Sequence, residues 1–419
     1  MPPFQFVHTA DLHLDSPFRG LSEVAPALQS VMREATFQAF ENIIDLCVNQ
    51  PVNFLLIAGD IHDESERSLR ALTRLRQGFD RLAEHQIPVF ICHGNHDPLT
   101  GWSEKFSWPD NVCVFDTKAV EAKSVVVGSA EIARIYGLSF GMEKVTNNLA
   151  QQFHREANAP WSIGLLHTNV GDDPHHGNYA PCQVDDLLQA GMNYWALGHV
   201  HTHRILRPQD PLIIYPGNPQ GRHVRETGPR GCYLVEVDSH GCAHPEFVPV
   251  DVVRWHEEHI PIGGLGDFDE LLSQLDDRVN ALRQKSEGRG VIVRWKFTGR
   301  GVLHREIIRP GRLEDLLVTM REQWGMGTQF VWSESIQDRT GREIDVEALR
   351  QEENLLGDFL RLSEVGDEAR LQGLRQMVEP LFDDPRVYRY LGSPSDEQLR
   401  DWVHAAQHLG IDRLMTGDE

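Results

Sequence analysis

Short apolar runs alternate with amphipathic stretches through the first 240 residues. Runs at 4–9, 52–58, 88–93, 112–115, 123–127, 132–137, 161–167, 193–198, 212–216 and 231–237 are rich in β-branched and aromatic residues and bounded by turn formers, which predicts strands. Between them, residues near 25–49, 65–86, 145–157 and 183–190 carry helical periodicity. In the first of these, Leu28, Met32, Ala35, Ala39, Ile43 and Leu46 recur at three- and four-residue steps and make one apolar face. Pro51 and Pro88 come after the first two helices as stop signals. Strands with interleaved helices predict an α/β fold, a layered αββα sandwich spanning residues 1–245.

The pattern changes after residue 250. A strand at 251–261, a helix at 267–286, a strand at 290–298, a helix at 311–323 and a strand at 328–336 predict a smaller α+β domain over 250–340. Trp255, Trp295 and Trp332 fall on its strands. Packing is their expected role, with stacking against nucleobases as the alternative. From residue 344 the chain reads as helical and acidic. Val346, Leu349, Leu356, Phe359 and Leu360 mark one apolar face; Leu371, Leu374, Val378, Leu381 and Phe382 mark a second. Pro380, Pro385 and Pro394 are expected to break the helical pattern beyond the second face. Gly263-Gly264-Leu265-Gly266 reads as a turn, since no G-K-[ST] comes after it, so ATP binding by this chain is not expected.

Five predicted strand ends carry metal-ligating residue types. Asp11-Leu12-His13 ends the first run, Gly59-Asp60 closes Phe54–Ala58, and Gly94-Asn95-His96-Asp97 comes after the third. His167 ends Ile163-Gly164-Leu165-Leu166, and Gly198-His199-Val200-His201 comes after Tyr194–Leu197. Ligands gather outside the carboxyl ends of strands in open α/β sheets. Carboxylate, imidazole and amide oxygen together suit Mn²⁺ above all, with Mg²⁺, Fe²⁺ and Zn²⁺ as alternatives. So many side chains exceed one tetrahedral ion and suit two ions sharing a carboxylate. Ions roughly 3.5–4 Å apart clamp the attacking and leaving oxygens of an in-line displacement and make hydroxide available near neutral pH. That chemistry is phosphoester hydrolysis.

The ordered set D-x-H, G-D, G-N-H-D, H, G-H-x-H resembles the calcineurin-like metallophosphoesterase superfamily. Flanking text narrows the resemblance to SbcD/YhaO-type DNA-repair exonucleases: His8-Thr9-Ala10-Asp11-Leu12-His13 with Leu14-Asp15-Ser16-Pro17-Phe18, Leu166-His167-Thr168-Asn169-Val170, Asn178-Tyr179-Ala180-Pro181, and Tyr215-Pro216-Gly217-Asn218-Pro219-Gln220-Gly221-Arg222-His223. It covers about residues 4 to 240. The resemblance implies one metal held by Asp11, His13, Asp60 and His201 and a second by Asp60, Asn95, His167 and His199, with Asp60 bridging. It implies that His96 is the catalytic histidine, and Asp97 is expected to orient it. It further implies a capping domain at 250–340, docking of the C-terminal helices on an SbcC-like coiled-coil ATPase, and a homodimer, for which the 65–86 helix is a candidate. In one departure, Asp63 stands where archaeal relatives carry a histidine, and His62 lies one position earlier.

The 419 residues sum to a net charge of −22, which argues against a broad basic surface for gripping DNA. Residues 344–419 hold 8 Arg and 17 Asp plus Glu, a net of −9. A DNA contact then rests on local cations, for which Arg222, His223, Arg225 and Arg230 in the Gly-Pro-rich loop are candidates, solvated loop charge being the alternative. Cys47, Cys92, Cys113, Cys182, Cys232 and Cys242 show no C-x-x-C spacing and read as reduced core residues. No apolar run is long enough to span a membrane, and a cytoplasmic protein is expected. The expected activity is a DNA-repair exonuclease, with some capacity for single-strand endonuclease cleavage. The alternatives are a phosphoesterase on a non-DNA phosphodiester or pyrophosphate, or an inactive subunit of an ATPase complex.

Overall fold

The computed structural model describes residues 1–16, 26–63, 68–99, 107–171, 177–363, 368–382 and 394–415. The chain divides into two compact units. The first comprises Met1–Glu258, Leu275–Lys296 and Glu314–Gln337; the second comprises His259–Gln274, Phe297–Leu313 and Asp338–Glu419.

In the first unit the strands are, in chain order, β1 (Phe4–Thr9), β2 (Phe54–Ala58), β3 (Val89–Cys92), β4 (Val112–Val114), β5 (Glu121–Val127), β6 (Ala130–Gly137), β7 (Trp161–His167), β8 (Tyr194–Gly198), β9 (Arg204–Arg207), β10 (Leu212–Tyr215), β11 (Gly231–Val237) and β12 (Ala243–Pro249). They form two six-stranded sheets, ordered β12-β11-β1-β2-β3-β4 and β5-β6-β7-β8-β10-β9. Each sheet has a run of parallel strands: β1, β2, β3 and, at the edge, β4 in one, and β6, β7, β8 and β10 in the other. Buried along their whole length, β2, β3, β7, β8 and β10 are near-continuous apolar runs, which makes them legible in the sequence.

The core between the sheets is aromatic. Phe6 stacks on Phe54 at 4.9 Å between ring centroids and meets Tyr194 of the second sheet edge-on at 5.2 Å. Helices α1 (Pro26–Asn49) and α2 (Leu69–Glu84) cover the outer face of the first sheet, where Phe40, Ile43, Leu75 and Phe79 pack against Leu55, Ile57 and Ile91. Ser68 caps α2, its hydroxyl accepting the Ala71 N–H at 3.0 Å. The start of the expected 65–86 helix, residues 65–67, lies outside the described residues. Helix α3 (Val184–Gln189) packs Leu187 on the outer face of the second sheet. The αββα layering expected from the sequence is the one observed.

Three expectations need correction. Residues 145–157 form one 3₁₀ turn, Ala150–Gln152, instead of a helix. Asn148 accepts the Ala150 N–H at 3.1 Å, and Phe153 turns extended and buries itself at 1% exposure, so local capping and a core side chain override the helical pattern. Strands β9 and β12 are not predicted by the hydrophobic pattern. Both lie at sheet edges, where polar residues and prolines such as Pro245 and Pro249 are tolerated, so neither carries an apolar signature. Pro380 does not end its helix, which continues to Phe382.

A third sheet orders β13 (Val253–Pro261), β14 (Gly290–Arg300) and β15 (Val331–Gly341), with α4 (Phe268–Lys285), α5 (His304–Ile307) and α6 (Arg312–Trp324) in the same stretch of chain. Trp255 and Trp295 are buried at 2% and 0% exposure, so they serve as core, not as stacking faces; Trp332 is partly buried beside Arg321. In the second unit, α7 (Val346–Arg350), α8 (Leu355–Leu362), α9 (Glu368–Phe382) and α10 (Asp396–Met415) bury Leu360, Leu371, Leu399 and Ile411. Pro385 lies outside the described residues, and Pro394 precedes α10 by two residues. No described helix is long and apolar enough to cross a membrane. Cys47, Cys92, Cys182 and Cys232 are buried, Cys113 is partly buried, and Cys242 is exposed, which corrects the core expectation for Cys242.

Candidate metal centre

Because β1, β2 and β3 are parallel neighbours, the loops carrying Asp11, Asp60 and Asn95 leave the same edge of the first sheet. They are zipped together: the Asp11 N–H donates to Gly59 O and the His13 N–H to Asp60 O, both at 3.0 Å. The second sheet does the same with β7, ending in His167, and β8, with His199 directly after it. Four of these residues hold left-handed backbones that L side chains rarely adopt: Asp11 (φ 52°), His13 (42°), Asp60 (52°) and His199 (102°). Such strain, of order 1–3 kcal/mol per residue, persists where surrounding structure forces it and clusters at functional sites. Glycine precedes Asp60, Asn95 and His199 for a steric reason. A Cβ on Gly59, Gly94 or Gly198 would collide with the His167 ring, and on Gly94 with Asp60 Oδ1 as well.

In a neutral imidazole the nitrogen that presents a lone pair is set by the partner of the other nitrogen. His167 Nδ1 faces the Ala58 carbonyl at 2.9 Å, so in its neutral form Nδ1–H donates there and Nε2 presents the lone pair. That lone pair faces Asn95 Oδ1 at 3.1 Å and Asp60 Oδ2 at 3.4 Å, both acceptors. His13 Nδ1 donates to Asp63 at 3.1 Å and His201 Nδ1 to Glu226 at 2.6 Å, which leaves their Nε2 atoms unprotonated as well. These two Nε2 atoms stand 3.3 Å apart, and the His13 atom is 3.8 Å from Asp60 Oδ2. His199 donates Nε2–H to the Gly177 carbonyl at 2.7 Å, which makes Nδ1 its lone-pair nitrogen, and its ring centroid lies 5.2 Å from that of His167. Lone pairs aimed at one another repel unless a cation sits among them. Locking the far nitrogen on an oxygen acceptor is how ligating histidines are oriented. The donor set therefore fits divalent ions.

The acids agree. Asp11 and Asp60 are buried at 0% and 1% exposure, and donor atoms of Asp11, Asp60 and His167 lie within 4.8 Å of one another, as do those of Asp11, His13 and His201. Burial, reinforced by the Asp60 charge, holds the Asp11 carboxyl well above the usual range. Burial would do the same to Asp60, but the imidazoles of His167, His13 and His96 and the His96 N–H, 2.9 Å from Oδ1, outweigh it and keep Asp60 ionised. Burial also lowers His13 to about 4, so that ring is neutral and able to ligate at physiological pH.

A model of the calcineurin-like phosphoesterase family matches residues 4–203, and a model of the middle domain of metallophosphoesterase YhaO matches residues 255–341. The uncharacterized metallophosphoesterase YhaO of Bacillus subtilis (strain 168) is 35% identical over 402 residues, 96% of each chain. This chain belongs to the calcineurin-like metallophosphoesterases. It is also similar to the DNA double-strand break repair protein Mre11 of Aeropyrum pernix, 26% identical over 272 residues that span 62% of this chain and 64% of the relative, and to that of Sulfurisphaera tokodaii, 26% identical over 219 residues that span 51% and 53%. Family membership makes the protein a hydrolase of phosphoesters that binds two divalent metal ions.

In this phosphoesterase, His96 has a partner other than the expected one. Its Nδ1 lies 2.7 Å from Asp63 Oδ1. Asp97, expected to orient it, instead accepts the backbone N–H groups of Gly94 (2.7 Å), Ile61 (2.9 Å) and Asp60 (3.2 Å) and pairs with His93 at 3.2 Å. It shapes the two ligand loops and does not touch His96. Asp63, the departure from the archaeal pattern, thus bridges His13 and His96 and also receives the Ser16 hydroxyl. Burial alone would depress His96, but the Asp63 hydrogen bond and the Asp60 charge raise it to about 9 in the metal-free protein.

The loop after β10 closes the site. Glu226, which the sequence does not single out, takes His201 on one oxygen and the Arg222 N–H (2.7 Å) and Asn218 amide (3.1 Å) on the other. Its only sequence signal is proximity to the Gly-Pro-rich stretch. Gln220 fixes the loop to Val252 and Val253, and Trp255 donates to Gly221 O at 3.1 Å. Arg230 is buried and bonds to His201 O and Asn218, so it is scaffolding and not a surface cation. Arg225 is exposed and donates its N–H to His223 Nδ1 at 3.1 Å.

Proposed function

We propose that the protein is a divalent-metal-dependent phosphodiesterase acting on DNA, an exonuclease of DNA repair with Mn²⁺ as its metal. The observation carrying the metal reading is the set of unprotonated imidazole nitrogens converging on Asp60 Oδ2 and on each other. Asp11, His13, Asp60 and His201 would hold one ion, and Asp60, Asn95, His167 and His199 the other, with Asp60 between them. When bound, the ions neutralise phosphate charge and make water a nucleophile near neutral pH.

The chain's own residues supply the rest. His96 is 43% exposed on its side chain, the most open of the group, and its Nδ1–H is committed to Asp63. Raised to about 9, the ring is an imidazolium near neutral pH, so its Nε2–H is the proton available to a leaving alkoxide, and the Asp63 carboxylate stabilises that imidazolium before transfer. The buried Asp97 keeps the Asp60 and Asn95 loops in register and takes no proton.

Support for a DNA substrate comes from the relatives named DNA double-strand break repair protein Mre11. The SbcC-like ATPase partner and the homodimer belong to the same reading. A non-DNA phosphodiester is favoured by one observation, the net charge of −22. Incubating the purified protein with linear DNA and Mn²⁺ separates the two. Nucleotide release is expected from the wild type and a loss of roughly 10³-fold or more from Asp60→Ala. Equal release by both, or hydrolysis of small phosphodiesters alone, defeats the nuclease assignment.

A further inference from the structure

We infer that Arg222 is the anion clamp of this centre, its guanidinium donating to non-bridging oxygens of the substrate phosphate. The inference deepens the proposed function and rests on its two-metal reading, though not on DNA as the substrate.

The loop delivers this side chain with little freedom. Its N–H is tied to Glu226, which also holds His201, and the preceding Gly221 is pinned by Trp255, leaving no room there for a Cβ. The Arg222 side chain is only 17% exposed. Yet its donors are spare. Among the described residues the nearest carboxylate, Asp63 Oδ2, is 3.8 Å from Nη1, beyond hydrogen-bond reach, and the buried Nε finds no acceptor. Arg254 shows what a structural arginine looks like in the same unit: Nε and Nη2 each bond Asp251 at 2.9 Å. A partly buried guanidinium with a buried, unfilled Nε–H is costly unless an anion completes it.

Its position names the anion. Asp63 stands between Arg222 and His96, 2.7 Å from His96 Nδ1. The cation thus flanks the histidine that serves the leaving oxygen, where a phosphate's remaining oxygens must lie. A planar fork matches two such oxygens better than a point charge does. In a chain this acidic, a cation at the mouth of the site also attracts an anionic substrate.

The test uses the full chain loaded with Mn²⁺, inorganic phosphate as titrant in calorimetry, and bis(p-nitrophenyl) phosphate for turnover. Arg222→Gln should keep both ions by metal analysis while phosphate binding weakens roughly 10- to 100-fold, the loss of charged hydrogen bonds. Arg222→Lys should recover part of the affinity but little of kcat. If Arg222→Gln holds both ions and binds phosphate like the wild type, the clamp is refuted. If it loses an ion, Arg222 is a counter-charge for Asp63 and the clamp is equally refuted. If the wild type itself binds no ions, the metal reading fails first and takes the clamp with it.

Discussion

The two sheets contribute unequally to the centre. The first supplies both carboxylates, the His13 imidazole, the amide of Asn95 and His96, proposed as the acid–base group, on loops braced by left-handed backbones and by Asp97. The second supplies only imidazoles to the candidate donor set, His167, His199 and His201, each fixed by handing its far N–H to an oxygen: Ala58 O, Gly177 O and Glu226. The acids of one sheet receive backbone N–H groups while the histidines of the other give theirs away. Some of these bonds cross between sheets. Asp11 accepts the His199 N–H on both oxygens at 3.1 Å, and His167 returns one to Ala58. The lesson is that the second sheet offers ligands alone, whereas the first offers ligands and, on the proposed reading, the group that moves the proton.

That division is open to attack. The largest separation is expected at His96. His96→Ala should keep both ions yet lower kcat roughly 10²- to 10⁴-fold, the range for a removed general acid. Loss of metal by this variant would make His96 part of the metal cage and collapse the distinction. Glu226→Gln probes the other sheet. Because it removes the charge behind His201 while keeping an acceptor oxygen, Mn²⁺ affinity should fall roughly 10- to 100-fold, with kcat restored at saturating metal. A kcat defect that excess Mn²⁺ cannot rescue would give Glu226 a part in the chemistry. The smallest effect is at the seam. Gly94→Ala pushes a methyl at Asp60 Oδ1 and the His167 ring at once. It should destabilise the fold by about 1–3 kcal/mol in urea unfolding, as overpacking does. Unchanged stability would mean the sheets are less tightly laced than the geometry requires.

Much of the centre is legible in the sequence because buried parallel strands are apolar runs and their ends are where ligands gather. Asp11, Asp60, Asn95 and His167 announce themselves by their places at the ends of such runs. Whatever depends on a distant partner stays hidden. Asp63 and Asp97 are both acids near a ligand loop, and nothing local says that the first reaches His96 across 33 positions while the second turns to backbone amides. Glu226 sits in a loop whose spacing reveals no ligand it could brace. Edge strands β9 and β12 escape because an edge makes no demand for alternation, and the turn at Ala150 escapes because a side-chain cap beats a helical period. Arg230 reads as a surface charge until the chain is seen to fold over it.

The crowding of Gly59, Gly94 and Gly198 around one imidazole carries a consequence for biosynthesis. His167 cannot find its seat until β2, β3 and β8 are all in place, and His201 waits on Glu226 beyond them. A nascent polypeptide still short of that loop owns most of the ligands but no assembled cage. The cage is therefore complete only when the segment bearing Glu226 is folded against His201.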